Sequence, residues 1–519
     1  MFETAELGRR ISRRRYHEAE PVLREELLEA QVRLREADFS SLVLFAGVDG
    51  AGKGESANLL TEWMDPRRIL VRAYAEPSDE ERERPEFWRY WRDLPPRGHI
   101  GVFLSAWYSA PLLDRVSGRI GDAELDERLD RILAFERTLA DGGTLIQKFW
   151  MHLGKKAQRR RFEALEADPL QAWRVTERDW EHWRQYDAFA RTAERILMRT
   201  STGFAPWTVV EGEDPAYRSL KVGLSLRDAL GRHLVRPEPP CCPPPPSFRT
   251  DEDGAPARLE LGQEASILRS LDLSRSLPKK RYSKELLRWQ GRLNQLYREA
   301  RARGISTLLV FEGWDAAGKG GAIRRLTGAL DARDFQVISI AAPTEEERAQ
   351  HYLWRFWRHL SRAGRVTFFD RSWYGRVLVE RVERFATGEA WRRAYAEIND
   401  FERQLVDHGT VLVKFWIHID PDEQAARFKA REGIPYKRWK LTPEDWRNRE
   451  KWDQYEVAVN DMIERTSTAS APWVLVEGND KRFARIKVLK AVCAALAHRL
   501  GEPSEAPLPQ DEALLGGEE

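Results

Sequence analysis

The sequence predicts an α/β protein built from two tandem copies of one domain, each a parallel sheet flanked by helices. Three observations carry that prediction. A hydrophobic run leading into a glycine-rich turn occurs twice, Leu42–Ala46 before GVDGAGKGE (Gly47–Glu55) and Leu308–Glu312 before GWDAAGKGG (Gly313–Gly321), at an offset of 266 residues. The same offset pairs Trp107-Tyr108 with Trp373-Tyr374, Lys148-Phe149-Trp150 with Lys414-Phe415-Trp416, Thr200-Ser201-Thr202 with Thr466-Ser467-Thr468 and Pro206-Trp207 with Pro472-Trp473, so a whole domain is repeated. Within each copy short apolar runs alternate with long helical patterns, which implies βαβ units and ligands at the carboxyl ends of the strands.

Taken in order, each copy begins with an arginine-rich helical segment, Leu23 to Glu36 and Lys284 to Ala302, read as a packing helix. In the second copy the candidate strands are Thr307 to Phe311, Gln336 to Ile340, Val366 to Phe369, Val411 to Ile419 and Trp473 to Val476, with helices between them. The domains are placed at 1–235 and 261–502. The segment 236–260, with RPEPPCCPPPPSFRTDEDGAP at its heart, reads as a proline-rich linker, and 503–519 as a disordered tail.

Bulk composition narrows the function. A chain of 519 residues with 42% hydrophobic residues supplies two ordinary cores. A net charge of +2 excludes a global basic coat, so any polyanion must meet a local patch. No apolar stretch approaches the roughly 18 residues that span a bilayer. The opening MFETAELGRRISRRRYHEAE lacks an apolar secretion core, so a cytoplasmic protein without membrane attachment is expected. Adjacent Cys241 and Cys242 and a separate Cys493 form neither a disulfide framework nor a zinc spacing.

The strongest motif is the phosphate-binding loop of the second copy, Gly313, Ala316, Ala317, Gly318, Lys319, Gly320 and Gly321. It follows a strand and opens a helix near Gly321, the context in which backbone N–H groups hold phosphate oxygens. Gly320 stands where a Ser or Thr usually ligates Mg²⁺, so carboxylates must hold the metal; Asp315 in the loop and Asp370 at a strand end are the candidates. Asp370 opens DRSWYGR, whose Arg371 and Arg376 lie within about a turn and a half of each other if the segment is helical. Guanidinium groups beside a metal-binding carboxylate suit transfer between anions. Trp373 and Tyr374, present in both copies, are read as core aromatics.

Downstream, Arg427 to Lys440 holds six basic residues and one acid in fourteen positions, including Lys429, Arg431, Lys437 and Arg438. The matching stretch Arg161 to Arg174 holds two basic residues and three acids. The offset also sets Leu104 opposite Asp370, Ser105 opposite Arg371 and Ala110 opposite Arg376. Such coordinated loss marks the second copy as catalytic and the first as structural. Asp49 and Lys53 survive, which leaves phosphate binding by the first copy open.

These residues resemble the second polyphosphate kinase family. The resemblance rests on FEGWDAAGKGG from Phe311, FDRSWYGRVLVERV from Phe369, KFWIHI from Lys414, the segment from Phe428 through TPEDW (Thr442 to Trp446), and the strand Trp473 to Glu477. It implies a thymidylate-kinase-like P-loop fold with a helical lid. The two-copy layout resembles a fused subgroup that moves a phosphoryl group from inorganic polyphosphate to AMP, giving ADP. By that resemblance Lys319 and the loop amides hold the transferring phosphates, and Asp315 and Asp370 ligate Mg²⁺ or assist deprotonation of the acceptor. Arg371, Arg376 and Arg431 neutralise the transition state, while Lys429, Lys437 and Arg438 track polyphosphate. Asp445 is a further acidic lid position, although Asp179 matches it in the first copy. Substrates would be polyphosphate and a nucleoside monophosphate, with no nucleic acid and with pairing of chains compatible. Phosphorylation of ADP, an ATP-dependent nucleotide kinase and a non-catalytic nucleotide- or polyphosphate-binding protein stay open as alternatives.

Overall fold

A computed structural model describes residues 1–235, 266–433 and 443–503. The proline-rich segment, the tail beyond residue 503, Lys437 and Arg438 lie outside the described residues. The chain divides into two compact units. The described part of the first comprises 1–77, 89–235 and 345–351; that of the second comprises 78–88, 266–344, 352–433 and 443–503.

The first unit holds β1 (Ser40–Gly47), β2 (Ile69–Ala73), β3 (Ile100–Leu104), β4 (Thr144–His152) and β5 (Trp207–Glu211), in spatial order β2-β3-β1-β4-β5. Every pair is parallel. The second unit repeats this with β6 (Thr307–Gly313), β7 (Phe335–Ser339), β8 (Val366–Asp370), β9 (Val411–His418) and β10 (Trp473–Glu477), in the order β7-β8-β6-β9-β10, again all parallel. The strands lie within a residue or two of the expected ones. β1, β6 and β9 are buried along nearly their whole length, which is why they read as continuous apolar runs rather than alternating ones.

The arginine-rich segments are packing helices, Arg13–Leu34 and Lys279–Ala302. The first buries Leu23, Leu27, Ala30, Gln31 and Leu34; the second buries Trp289, Leu293, Leu296, Tyr297 and Ala300, and their arginines occupy the outer faces.

The residues shared by both copies make a common polar frame. In the second unit Trp373 and Tyr374 are buried, and their Nε1 and OH donate to Glu402 Oε1 at 3.0 and 2.6 Å. Lys414 Nζ, fully buried on β9, donates to Tyr374 OH (2.9 Å), Glu402 Oε2 (2.7 Å) and Thr466 O (2.7 Å). Thr466 Oγ1 and Ser467 Oγ accept from Trp473 Nε1 and N at 2.9 and 3.1 Å, and Thr468 Oγ1 accepts from Ala471 N at 3.1 Å. Burial raises the Glu402 carboxyl and lowers the Lys414 ammonium, opposed in each case by the partner's charge. A charge pair this deep survives because its remaining hydrogen-bonding capacity is satisfied.

Candidate active site

β6 lies at the centre of its sheet between β8 and β9, so the loop leaving its carboxyl end emerges where the strand order reverses. Gly313 has φ +145°, and a Cβ there would fall 2.5 Å from Ile417 O, so no other residue fits. Gly318, at φ +119°, is the N-cap of the helix Lys319–Thr327, which begins two residues before the expected start. Gly320 and Gly321 lie in its first turn, where Gly321 N already donates to Gly318 O at 2.9 Å. Arg427 ties down the outside of the loop. Its Nη1 donates to Ala316 O and Ala317 O at 2.9 and 2.7 Å, and its Nη2 to Gly478 O and Asn479 O at 2.6 and 2.9 Å. Gln424 Nε2 adds a bond to Asp315 O at 3.1 Å. With those carbonyls engaged, the amides of Lys319 and Gly320 at the helix start are the ones left for an anion. Lys319 Nζ reaches back to Gly313 O (2.6 Å) and Trp314 O (3.2 Å).

The charged groups meet beside this loop. Asp315 Oδ1 accepts from Arg371 Nη2 at 3.0 Å and its Oδ2 from Asn448 Nδ2 at 2.9 Å. Burial would push the Asp315 carboxyl up, but the charges of Lys319 and Arg371 and both hydrogen bonds bring it below the usual carboxylate range. Burial likewise opposes the charge of Arg371, yet Asp315, Glu312 and Asp370 together hold it above its ordinary value. Asp370 ends β8 in register with Phe311 of β6, which brings the strand-end carboxylate to the loop's edge. Among the described residues no group of three or more His, Cys, Asp or Glu could hold a metal by itself. Two carboxylates fit Mg²⁺, which is commonly bound through one or two of them plus substrate phosphates.

Several site residues escaped the sequence reading. Glu312 is buried, its carboxyl raised by that burial, and it accepts from Ser372 Oγ at 2.8 Å. Arg485 faces Gly321: a Cβ on that glycine would lie 3.2 Å from Arg485 Nη2. Lys481 sits in the same cation cluster; its ammonium is lowered by burial and by Arg427, Arg485 and Arg431, with Glu423 opposing. The repeat carried a signal for all of them, since Ala46, Ala106, His182, Ser219 and Pro215 stand opposite Glu312, Ser372, Asn448, Arg485 and Lys481.

Other expectations change. Arg371 and Arg376 do not share a helix: Arg371 has φ +67°, and a short 3-10 turn begins only at Trp373, capped by Ser372. Arg376 pairs with Glu380 at 3.0 Å and lies 4.4 Å over the Tyr352 ring. Of the basic run, Arg427 is a buried loop support, Lys429 is exposed on the helix Pro421–Glu432, and Arg431 is half-buried within electrostatic reach of Arg427 and Lys481.

A glycine-rich loop carrying an Asp and a Lys, Asp49 and Lys53 in the first copy and Asp315 and Lys319 in the second, is doubled in one chain, and so is the matching family, Polyphosphate kinase 2, at residues 10–236 and 276–502. The chain belongs to the polyphosphate kinase 2 family. As such it is a phosphotransferase. It is 52% identical over 497 residues to the polyphosphate:AMP phosphotransferase of Pseudomonas aeruginosa, covering 96% of this chain and 98% of that one. It is 39% identical to the protein of the same name from Acinetobacter johnsonii, covering 92% and 97%. A crystal structure assigned to polyphosphate kinase 2 from Pseudomonas aeruginosa matches with a TM-score of 0.85 and 49% identity, over 96% of this chain and 99% of that one. No helix among the described residues is long and apolar enough to cross a membrane.

Proposed function

We propose that the second unit transfers a phosphoryl group from inorganic polyphosphate to AMP, giving ADP, with Mg²⁺ as cofactor. The observation that carries this reading is the cation cluster beside the loop: Arg485 faces Gly321, and Arg427, Arg431 and Arg485 lie within electrostatic reach of Lys481, with Glu423 the opposing charge. A cluster in which burial and then the neighbouring guanidinium charges lower the lysine is suited to a highly charged anion. Two relatives named polyphosphate:AMP phosphotransferase support donor and acceptor.

In this reading the loop amides and Lys319 seat the terminal phosphates of the donor. An acceptor phosphate has its second pKa near 6 and is already ionised at neutral pH, so no general base is required. An AMP phosphate oxygen forms a bond to the terminal phosphorus, the bridging P–O bond breaks, and the electron pair leaves on a polyphosphate shortened by one unit. Arg371 stabilises the charge spread over the transferring group, a role worth about 10³ to 10⁵ in turnover where it has been isolated. Asp315 and Asp370 would hold Mg²⁺, which screens charge between donor and acceptor phosphates. Asn448 and Arg371 fix the Asp315 carboxylate.

The test is nucleotide product by chromatography after incubating the chain and Mg²⁺ with AMP plus long-chain polyphosphate, AMP plus ATP, or ADP plus polyphosphate. ADP formed from AMP only with polyphosphate supports the reading. Turnover with ATP alone would replace it with an ordinary nucleotide kinase.

A further inference from the structure

The first unit keeps the loop but fills it differently. Gly47 and Gly52 retain positive φ, +135° and +92°, and the helix Lys53–Trp63 starts directly after Gly52. Glu55 stands in its first turn, opposite Gly321 of the second copy. Glu55 Oε1 accepts from Arg161 Nη2 at 2.8 Å and Arg174 Nη2 at 2.6 Å, and Oε2 pairs with Arg218 Nη2. Three guanidinium groups thus share one carboxylate.

Arg218 is 3% exposed, and its Nη1 donates to Gly212 O at 3.2 Å. A Cβ at Gly52 would fall 2.2 Å from that Nη1 and 2.7 Å from Nε, so the guanidinium lies directly on the loop. The Nε atoms of Arg218 and Arg161 are buried with no hydrogen-bond partner. One carboxylate brings two oxygens and a single charge, whereas a phosphate group brings three oxygens and nearly two charges, which suits several guanidinium forks at a helix start. Burial would raise the Glu55 carboxyl, yet Arg174, Arg218 and Arg161 hold it below the usual range.

We propose that Arg161, Arg174 and Arg218 form a phosphate-anion site that the chain occupies with its own Glu55 carboxylate, so that the first unit is closed by an internal phosphate mimic. The ligand class is a terminal phosphate, from a polyphosphate chain or a nucleotide. The inference goes beyond the proposed activity and is read by binding, so its failure is distinguishable from failure of the turnover reading.

The experiment is titration calorimetry on the full chain at low salt in a Lys319→Ala background, with sodium tripolyphosphate and, separately, AMP. Glu55→Gly added to that background is expected to bring one tripolyphosphate site per chain, at least tenfold tighter than Lys319→Ala alone, and Arg174→Ala to weaken it again. A gain for AMP rather than tripolyphosphate keeps the phosphate site and assigns it to nucleotides. Should Glu55→Gly fail to fold, Glu55→Gln retains the side-chain shape and is expected to shift binding in the same direction. A folded Glu55→Gly or Glu55→Gln chain whose binding of both probes is unchanged overturns the proposal and leaves a structural ion-pair cluster.

Discussion

The buried lysine on the fourth strand of each sheet and the loop at the end of the first strand behave in opposite ways across the two units. Lys148 Nζ meets Tyr108 OH, Glu136 Oε2 and Thr200 O at 2.9, 2.7 and 2.8 Å; Lys414 meets Tyr374 OH, Glu402 Oε2 and Thr466 O at 2.9, 2.7 and 2.7 Å. At the loops the ion pairs diverge. Asp315 is held by Arg371 and Asn448, whereas Asp49 is held by Lys53 and His182 at 3.1 and 2.8 Å. Arg427 braces loop carbonyls, whereas its counterpart Arg161 is drawn to Glu55. The frame tolerates no change because any orphaned charge would be buried without water. The loop, whose ion pairs keep partial access to solvent, can exchange one set of charges for another and keep its backbone.

The two loops should differ most at their lysines. In assays of ADP formation from AMP and polyphosphate, Lys319→Ala is expected to lower kcat/KM by roughly 10³-fold or more. Arg371→Lys keeps the charge but loses the planar fork, and a fall of about 10²-fold is expected in the same assay. Asp49→Asn, the mirror image of a change at Asp315, should leave the rate within about twofold, as expected when a group makes no contact with the transition state.

The frame predicts symmetry instead. Glu136→Gln and Glu402→Gln each strand a buried lysine, so each should destabilise its own unit by about 3–5 kcal/mol in urea unfolding followed by tryptophan fluorescence. A large cost in one unit and none in the other would contradict the shared-frame reading.

A smaller effect separates the two equivalent histidines, His152 and His418. Burial holds His418 down at about 4, with Glu456 and Asp420 opposing. The unfolded ring titrates near 6.5. The folded state therefore favours the neutral ring, and its contribution is complete above about pH 6.5 and lost as pH falls towards 4, a span worth up to about 3 kcal/mol. His152 is lowered in the same way, but Glu6 Oε1 at 2.9 Å pulls it back. Unfolding midpoints between pH 7.5 and 4.5 should fall more for the second unit, and His418→Gln should flatten that slope.

The strands were legible because buried parallel strands leave unbroken apolar runs, and Asp315 and Lys319 because a phosphate loop needs fixed spacing. Arg427 was not, since in a basic run it looks like five other cations; only the packing of its helix against the loop singles it out. Arg376 sits three residues into a 3-10 turn, and a single residue at positive φ, Arg371, redirects the chain before it. Glu55 was visible in the same 266-residue comparison that exposed the lost charges, but an acid in place of a glycine has meaning only once three arginines are seen around it.

In the proposed reaction, one of two similar loops performs the chemistry. ADP formation from AMP and polyphosphate by the Asp370→Asn chain, in which the whole first unit is intact, decides between the two loops. A loss of about 10²-fold or more is predicted. Turnover close to that of the unaltered chain would contradict it and return the first unit to the reaction.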